Sequence, residues 1–128
     1  MNIGFIGLGN MGSGMTQNLA LNGFTVFGFD TDQDKLEANT YVQAAQSVEV
    51  LSKRCDVVIT CLPSPEASRK VIFDQLLSDS NSPRIIIETS TLTPEIVTEF
   101  SQKLQEKGIQ FLSAPMIGGK NHAAKGTI

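Results

Sequence analysis

A strict Gly-x-Gly-x-x-Gly motif near the start of the chain has the spacing that points most directly to chemistry. It consists of Gly7, Leu8, Gly9, Asn10, Met11 and Gly12. Such a turn bends tightly, lets a pyrophosphate approach the main chain and lets the following helix pack close to the preceding strand. The N-terminus of that helix offers unpaired N–H groups and a positive dipole end to phosphate oxygens. The motif therefore predicts dinucleotide binding, and the alternative is a glycine-rich turn that serves packing alone.

An acidic residue, Asp30, ends the second predicted strand and follows the last glycine of the motif. A carboxylate at this place accepts hydrogen bonds from the adenosine ribose hydroxyls and repels a 2′-phosphate. Thr31 follows without a positive charge, and Asp32 and Asp34 add negative charge. We therefore expect NAD as the preferred cofactor, with NADP possible. The alternative for these aspartates is helix capping at a solvated turn, which we expect for Asp32.

The predicted elements place these groups at one edge of a sheet. Apolar runs typical of strands covered on both faces occupy residues 2–7, 25–30, 57–61, 84–88 and 110–114. Helical patterns lie between them, at residues 10–22, 33–40, 47–54, 66–73 and 93–107. This alternation favours βαβ units, so we predict an α/β fold with a doubly wound, mostly parallel sheet and helices on both faces. After Pro115 we expect a loop, and at residues 127–128 the start of another strand.

Composition narrows the class of protein. The 128 residues suit one domain, which we place over residues 1–128. Ten basic and thirteen acidic residues give a net charge of −3, which argues against nucleic acid as a partner. The aliphatic runs are too short for a membrane span, and no basic leader precedes an apolar stretch. Because Cys55 and Cys61 lack partners at metal-ligand spacing, we expect no metal site and a reducing, cytoplasmic location.

Four segments, in order along the chain, resemble the motifs of the β-hydroxyacid dehydrogenase family, which includes 3-hydroxyisobutyrate dehydrogenase and relatives of 6-phosphogluconate dehydrogenase. They are residues 4–12 with Met15 and Asn18-Leu19, residues 56–63, residues 88–91, and residues 114–119 followed by Ala123, Gly126 and Thr127. The resemblance covers essentially the whole chain. It implies a Rossmann-type fold and an oxidoreductase that moves a hydride between a nicotinamide cofactor and a short β-hydroxyacid or its semialdehyde.

The resemblance also implies roles for particular residues. Leu62-Pro63 would lie against the cofactor, Thr91 would contact its nicotinamide half, and the backbone N–H groups of Gly118 and Gly119 would bind the substrate carboxylate. The predicted cofactor-binding residues are thus Gly7, Leu8, Gly9, Asn10, Met11, Gly12, Asp30, Thr31, Leu62, Pro63 and Thr91.

Two features depart from the family pattern. Ile117 stands where the family has a serine whose hydroxyl helps to hold the carboxylate. The family places its proton-transfer lysine in a second, helical domain, which we expect to be absent from this chain. We therefore predict no catalytic residue within these 128 residues and no turnover by them alone. Lys120, Lys125 and His122 are expected to be solvated surface groups on a loop.

Two other functions stay open: a dinucleotide-binding module without catalysis, favoured by Ile117 and the missing lysine, and an imine-reductase-like enzyme that shares the first domain. For the intact enzyme we expect a small hydroxyacid as partner and a homo-oligomer. For the 128-residue chain we expect self-association through apolar surface around Ile117 and Ile128, or a weakly ordered tail after Pro115.

Overall fold

The structure, a computed structural model, describes residues 1–78 and 83–128. In this part of the chain six strands form one sheet, with the order β3-β2-β1-β4-β5-β6. The strands are β1 (Asn2–Ile6), β2 (Thr25–Phe29), β3 (Gln43–Ala44), β4 (Val57–Thr60), β5 (Ile85–Glu88) and β6 (Gln110–Ser113). Every neighbouring pair is parallel. Since the chain starts at the centre and extends first to one side and then to the other, the predicted doubly wound α/β fold is confirmed.

Helices connect the strands. They are α1 (Asn10–Leu21), α2 (Gln33–Ala38), α3 (Val48–Ser52), α4 (Pro65–Arg69), α5 (Pro94–Glu106) and α6 (Lys120–Lys125). A π-helical segment, Lys70–Leu76, continues α4. The hydroxyls of Ser47, Ser64 and Thr93 cap α3, α4 and α5 by accepting a hydrogen bond from a first-turn amide. Within residues 1–78 and 83–128, no helix has the length and apolarity needed to cross a bilayer.

Two hydrophobic clusters cover the two faces of the sheet. One cluster centres on Phe100 and Leu104 of α5, which pack with Ile72 of the π-helical segment and Ile86 of β5. The other contains the fully buried Phe5 of β1, with Val26, Leu36 and Ile59, and the partly buried Met15 and Leu19 of α1 pack against it. Burial on both faces explains why the strands are runs of apolar residues without alternation.

The strand register brings the turns after five strands to one edge of the sheet. Ile6 pairs with both Phe29 and Thr60, and Thr60 pairs with Glu88, which in turn pairs with Ser113. The carboxyl ends of β1, β2, β4, β5 and β6 therefore lie side by side. In open parallel sheets this edge, next to the point where the strand order reverses, is where ligands bind.

The last residues of the chain differ from the prediction in two ways. A loop was expected after Pro115, but residues Lys120–Lys125 form α6. Residues 127–128 are not in a strand, because the Thr127 N–H donates to His122 O at 2.9 Å and so closes the end of α6. Gly126 adopts the left-handed conformation, φ +68°, that commonly ends a helix. Residues 120–127 thus form a helix with a closed end in place of the expected loop.

Candidate functional site

The glycine motif connects β1 to α1 in a turn that leaves no room for larger residues at two of its positions. Gly7 has φ +100°, and a Cβ there would lie 2.1 Å from the carbonyl oxygen of Cys61. A Cβ on Gly12 would lie 1.9 Å from the carbonyl oxygen of Gly7. These two glycines are therefore required by the fold itself, whether or not a ligand binds.

Gly9 is different, because among the described residues nothing beyond its two chain neighbours lies within 4 Å of a Cβ built there. Its backbone, at φ −69° and ψ −161°, is allowed for any residue. The space that a side chain would fill is open and lies beside the N-terminus of α1. That end of the helix has no side-chain cap and no acidic residue in its first turn. First-turn amides have no carbonyl partner inside a helix, so this end suits an anion such as a pyrophosphate.

Asp30 links the glycine turn to the end of β2. Its Oδ2 accepts a hydrogen bond from the Leu8 N–H at 2.7 Å, and its Oδ1 accepts one from the Asp32 N–H at 2.8 Å. Each oxygen keeps a further lone pair for a ribose hydroxyl. Asp32 caps α2 by accepting from the Asp34 N–H at 3.0 Å, as expected from the sequence. The Leu8 side chain is buried under the turn, so this residue contributes its backbone alone.

A cleft of about 390 Å³ runs along the turn. Its lining includes nine of the predicted cofactor residues: Gly7, Gly9, Asn10, Met11, Gly12, Asp30, Thr31, Leu62 and Pro63. Lys35 of α2 also lines it, with its Nζ 4.0 Å from Oδ2 of Asp32. Lys35 was not identified from the sequence as a residue of this site, because it is four residues beyond Thr31 and reaches the cleft through the first turn of α2.

A second cleft, of about 410 Å³, continues the first one. The two share Met11, Cys61, Leu62 and Pro63, so they form one groove across the carboxyl edge of the sheet. We call it the edge groove. Its second half is lined by Thr91 and by Gly118. The structure thus brings the glycine turn, the Leu-Pro turn, Thr91 and one of the two predicted substrate glycines together.

The Leu62-Pro63 turn is held by residues that the sequence reasoning did not assign to the site. The Ser90 hydroxyl donates to Leu62 O at 2.8 Å and accepts from the Leu62 N–H at 3.2 Å. Ser90 is in turn placed by Glu88, whose Oε1 accepts from the Ser90 N–H at 2.8 Å and whose Oε2 accepts from the Thr60 hydroxyl at 2.9 Å. Glu88 is fully buried, so its carboxylate serves this network and not a ligand.

The double glycine lies in the turn before α6. Gly118 lines the edge groove, whereas the Gly119 N–H donates to Nδ1 of His122 at 3.2 Å. His122 is exposed as predicted but belongs to a helix, where it occupies one of the two amides expected to bind a carboxylate. Ile117 is 90% exposed, and its aliphatic side chain offers no hydrogen bond in place of the serine hydroxyl. Lys120 and Lys125 are exposed as well, in agreement with the prediction.

Cys61 lies where the two halves of the edge groove meet. Burial raises the pKa of its thiol, while a hydrogen bond with Thr89 acts in the opposite direction. Burial also raises the pKa of Cys55, to about 11. A thiol with a raised pKa is a weak nucleophile at neutral pH, so Cys61 reacts slowly and serves mainly as an apolar wall of the groove.

The all-parallel sheet with a glycine turn, an open helix N-terminus and an acidic residue after β2 defines a dinucleotide-binding Rossmann domain. Residues 2–128 match the family described as the NAD binding domain of 6-phosphogluconate dehydrogenase. The chain belongs to this family of NAD-binding domains.

Individual relatives agree with this assignment. The mitochondrial 3-hydroxyisobutyrate dehydrogenase of Drosophila melanogaster is 37% identical over 131 residues, which cover 99% of this chain and 40% of that protein. The structure of Mycobacterium tuberculosis 3-hydroxyisobutyrate dehydrogenase with L-serine matches 97% of this chain and 43% of its own, with a TM-score of 0.88 and 32% identity. The chain thus spans about two fifths of the length of these relatives.

An imine reductase from Myxococcus stipitatus, solved in complex with NADP+, shares the fold. Its TM-score is 0.83 at 19% identity, and the match covers 95% of this chain and 43% of that one. At this level of identity the likeness concerns the fold alone.

Proposed function

We propose that this chain, as the one domain 1–128, is the cofactor-binding domain of an oxidoreductase similar to 3-hydroxyisobutyrate dehydrogenase. The reaction is hydride transfer between a nicotinamide cofactor and a short β-hydroxyacid or its semialdehyde. The observation that carries the proposal is the continuous edge groove from Asp30, through the glycine turn, to Thr91 and Gly118. A bound dinucleotide would place its adenosine end at Asp30 and its nicotinamide end at Thr91.

The residues present fit the cofactor. First-turn amides of α1 would bind the pyrophosphate, next to the open space at Gly9. The remaining lone pairs of Asp30 would accept the ribose hydroxyls. Leu62 and Pro63 would pack against the middle of the molecule, held in place by Ser90. When bound, the nicotinamide supplies the hydride acceptor or donor.

For the substrate, the Gly118 amide would bind the carboxylate at the nicotinamide end of the edge groove. The Gly119 amide becomes available once the His122 ring turns away from it. We place the proton-transfer group outside residues 1–128, in a second domain like that of the resembled family. These 128 residues alone are therefore expected to bind cofactor without turning over a hydroxyacid.

We propose NAD as the preferred cofactor. Asp30 lines the ribose end of the cleft, Asp32 and Asp34 follow it closely in the chain, and the Lys35 Nζ lies 4.0 Å from Oδ2 of Asp32. The local charge is therefore negative, which disfavours a phosphate group.

Calorimetric titration of the chain with NADH and NADPH tests the proposal. We expect saturable binding of NADH at a stoichiometry of one, and weaker binding of NADPH at the same ionic strength. If neither NADH nor NADPH binds, the proposed function is wrong. For the intact protein we further propose a homo-oligomer in the cytoplasm, which size measurements and cell fractionation test directly.

A dinucleotide-binding module without catalysis is the second candidate. The observation in its favour is Ile117, whose exposed aliphatic side chain offers nothing to a carboxylate. Addition of 3-hydroxyisobutyrate to the NADH-loaded chain separates the two candidates. The amide signal of Gly118 should shift if the chain is the domain of such an enzyme, and should not shift if it is a module without catalysis.

A further inference from the structure

The helix that begins at the glycine turn also holds the last segment of the chain. Asn18 of α1 donates from Nδ2 to two carbonyl oxygens of α6, those of Ala123 at 2.7 Å and Ala124 at 2.8 Å. It also lies 3.3 Å from the carbonyl oxygen of Gly14 in its own helix. The last carbonyls of a helix lack partners within it. Asn18 therefore caps the C-terminus of α6 from more than 100 residues away in the sequence.

The backbones of the two helices touch beside this cap. A Cβ on Gly14 would lie 2.6 Å from the Ala124 amide nitrogen and 2.9 Å from the Ala123 carbonyl carbon. The Ala123 side chain is buried at this contact. With six residues, α6 is far below the length at which a helix is stable alone, so its order depends on docking against α1.

The docking of α6 decides where the double glycine lies. Gly119 is the residue that precedes α6, and Gly118 lines the same half of the edge groove as Thr91. A helix that slides or frays at its capped end moves the turn at its other end, because six residues span only about 9 Å. Asn18 itself is absent from the lining of the edge groove, so its effect on the turn is indirect.

We propose that Asn18 is a positioning residue for the double-glycine turn. By capping α6, it holds the Gly118 amide at the nicotinamide end of the edge groove, and its loss releases that amide without disturbing the dinucleotide site at the other end of α1. The location of the nicotinamide end rests on the proposed function, whereas the docking of the turn does not.

The test uses the ¹⁵N-labelled chain, in which glycine amides report on both ends of the edge groove. The variant is Asn18→Asp, which keeps the shape of the side chain but replaces its donor by a carboxylate facing two carbonyl oxygens. Asn22→Asp is the matched control, since Asn22, at the C-terminal end of α1, donates from Nδ2 to Asn18 O and makes no contact with α6 in the hydrogen bonds described. At pH 7 we expect amide exchange at Gly126 and Thr127 to accelerate about tenfold or more in the Asn18 variant, because two hydrogen bonds are lost.

The amide shifts caused by NADH distinguish a positioning role of Asn18 from a general loss of structure. In the wild type, NADH is expected to shift the amide signals of Gly9, Gly12 and Gly118. In Asn18→Asp the shift of Gly118 should disappear, while the shifts of Gly9 and Gly12 and the Kd for NADH stay within about twofold. A merely structural role would change both ends together.

The pH dependence gives a further readout. Carbonyl oxygens facing the introduced carboxyl group disfavour its ionised form, and protonation restores one donor. Protection at Gly126 should therefore recover in Asn18→Asp as the pH falls from 7 to 5, and stay constant in the control.

Three results would overturn the proposal: unchanged exchange in Asn18→Asp, equal acceleration in Asn22→Asp, or loss of the Gly9 and Gly12 shifts together with that of Gly118. If Asn18→Asp fails to fold, Gly14→Ala replaces it. That change keeps the Asn18 amide but pushes the Ala124 backbone away, and it should release the turn in the same way. If wild-type NADH shifts nothing, the proposed function fails, and the exchange comparison still decides the role of Asn18.

Discussion

The substitution Gly9→Val should separate dinucleotide binding from folding. A Cβ at Gly9 meets no atom within 4 Å in the described part of the chain beyond its two neighbours, and the backbone there is extended. Replacing glycine at a compatible position changes stability by only about 0.4–1 kcal/mol. The added methyl groups would occupy the space through which the pyrophosphate reaches α1. Loss of two charge-assisted hydrogen bonds from first-turn amides costs about 3–6 kcal/mol. We therefore expect the Kd for NADH to rise about 10²–10⁴-fold.

Isothermal titration with NADH measures the affinity, and thermal unfolding shows whether the variant folds. Gly119→Val is the matched control, because a Cβ there also meets nothing within 4 Å and Gly119 does not line the edge groove. The control should bind NADH as the wild type does. Gly12→Ala should instead prevent folding, since its Cβ would overlap the Gly7 carbonyl. A folded Gly9→Val that binds NADH with wild-type affinity would refute the placement of the pyrophosphate.

Three further predictions concern charge and reactivity. Asp30→Ala should weaken NADH binding and relieve repulsion of the 2′-phosphate, which narrows the difference between NADH and NADPH about tenfold in parallel titrations; tighter binding of NADPH than NADH by the wild type would contradict the assignment. Saturating NADH should slow the alkylation of Cys61 by iodoacetamide at least about tenfold, as measured by mass spectrometry, and the alkylation rate should rise from pH 7 to 9 as the thiolate forms. Buried Cys55 is the internal control. Equal protection of both thiols would indicate that NADH changes the whole domain and does not cover Cys61. Hydrogen bonds from the Arg69 guanidinium and from Lys103 hold the pKa of Glu99 at about 2, below its ordinary 4.5. Glu99→Gln should therefore lower the Tm at pH 7, by an amount that shrinks as the pH falls from 4.5 toward 2. A difference in Tm that does not change with pH would exclude the ion pair as its source.

The sheet and most helices could be predicted because their signals are local. Strands buried on both faces are continuous apolar runs, and serine or threonine followed by a helical pattern marks a helix start. Each of the five predicted strands agrees with the structure to within one residue. The position of the glycine turn and of Asp30 at the edge of the sheet could be predicted for the same reason, because each lies at the end of a strand that the sequence shows.

What could not be predicted depends on distant contacts. Helix α6 has one buried side chain, Ala123, which is too little for a recognisable apolar stripe, and its cap comes from α1. Strand β3 has two exposed residues and exists only through its pairing with β2. The role of Ser90 emerges from its hydrogen bonds to Leu62, 28 residues away in the sequence. No local pattern contains these contacts.

Asp30 has two roles, one toward the proposed cofactor and one within the glycine turn, and together they constrain how cofactor preference can change during evolution or engineering. Its carboxylate lines the proposed ribose site and also accepts a hydrogen bond from the Leu8 N–H at 2.7 Å. A single replacement by arginine would supply the charge that a 2′-phosphate needs. It would also leave the Leu8 amide without its acceptor and so loosen the turn that we propose binds the pyrophosphate. The accessible route to a phosphate-tolerant domain therefore keeps an acceptor at position 30, as asparagine does, and introduces the positive charge at exposed Thr31. The preference for NADH or NADPH therefore depends on positions 30 and 31 together. The stability of the glycine turn decides which of these two positions can change first.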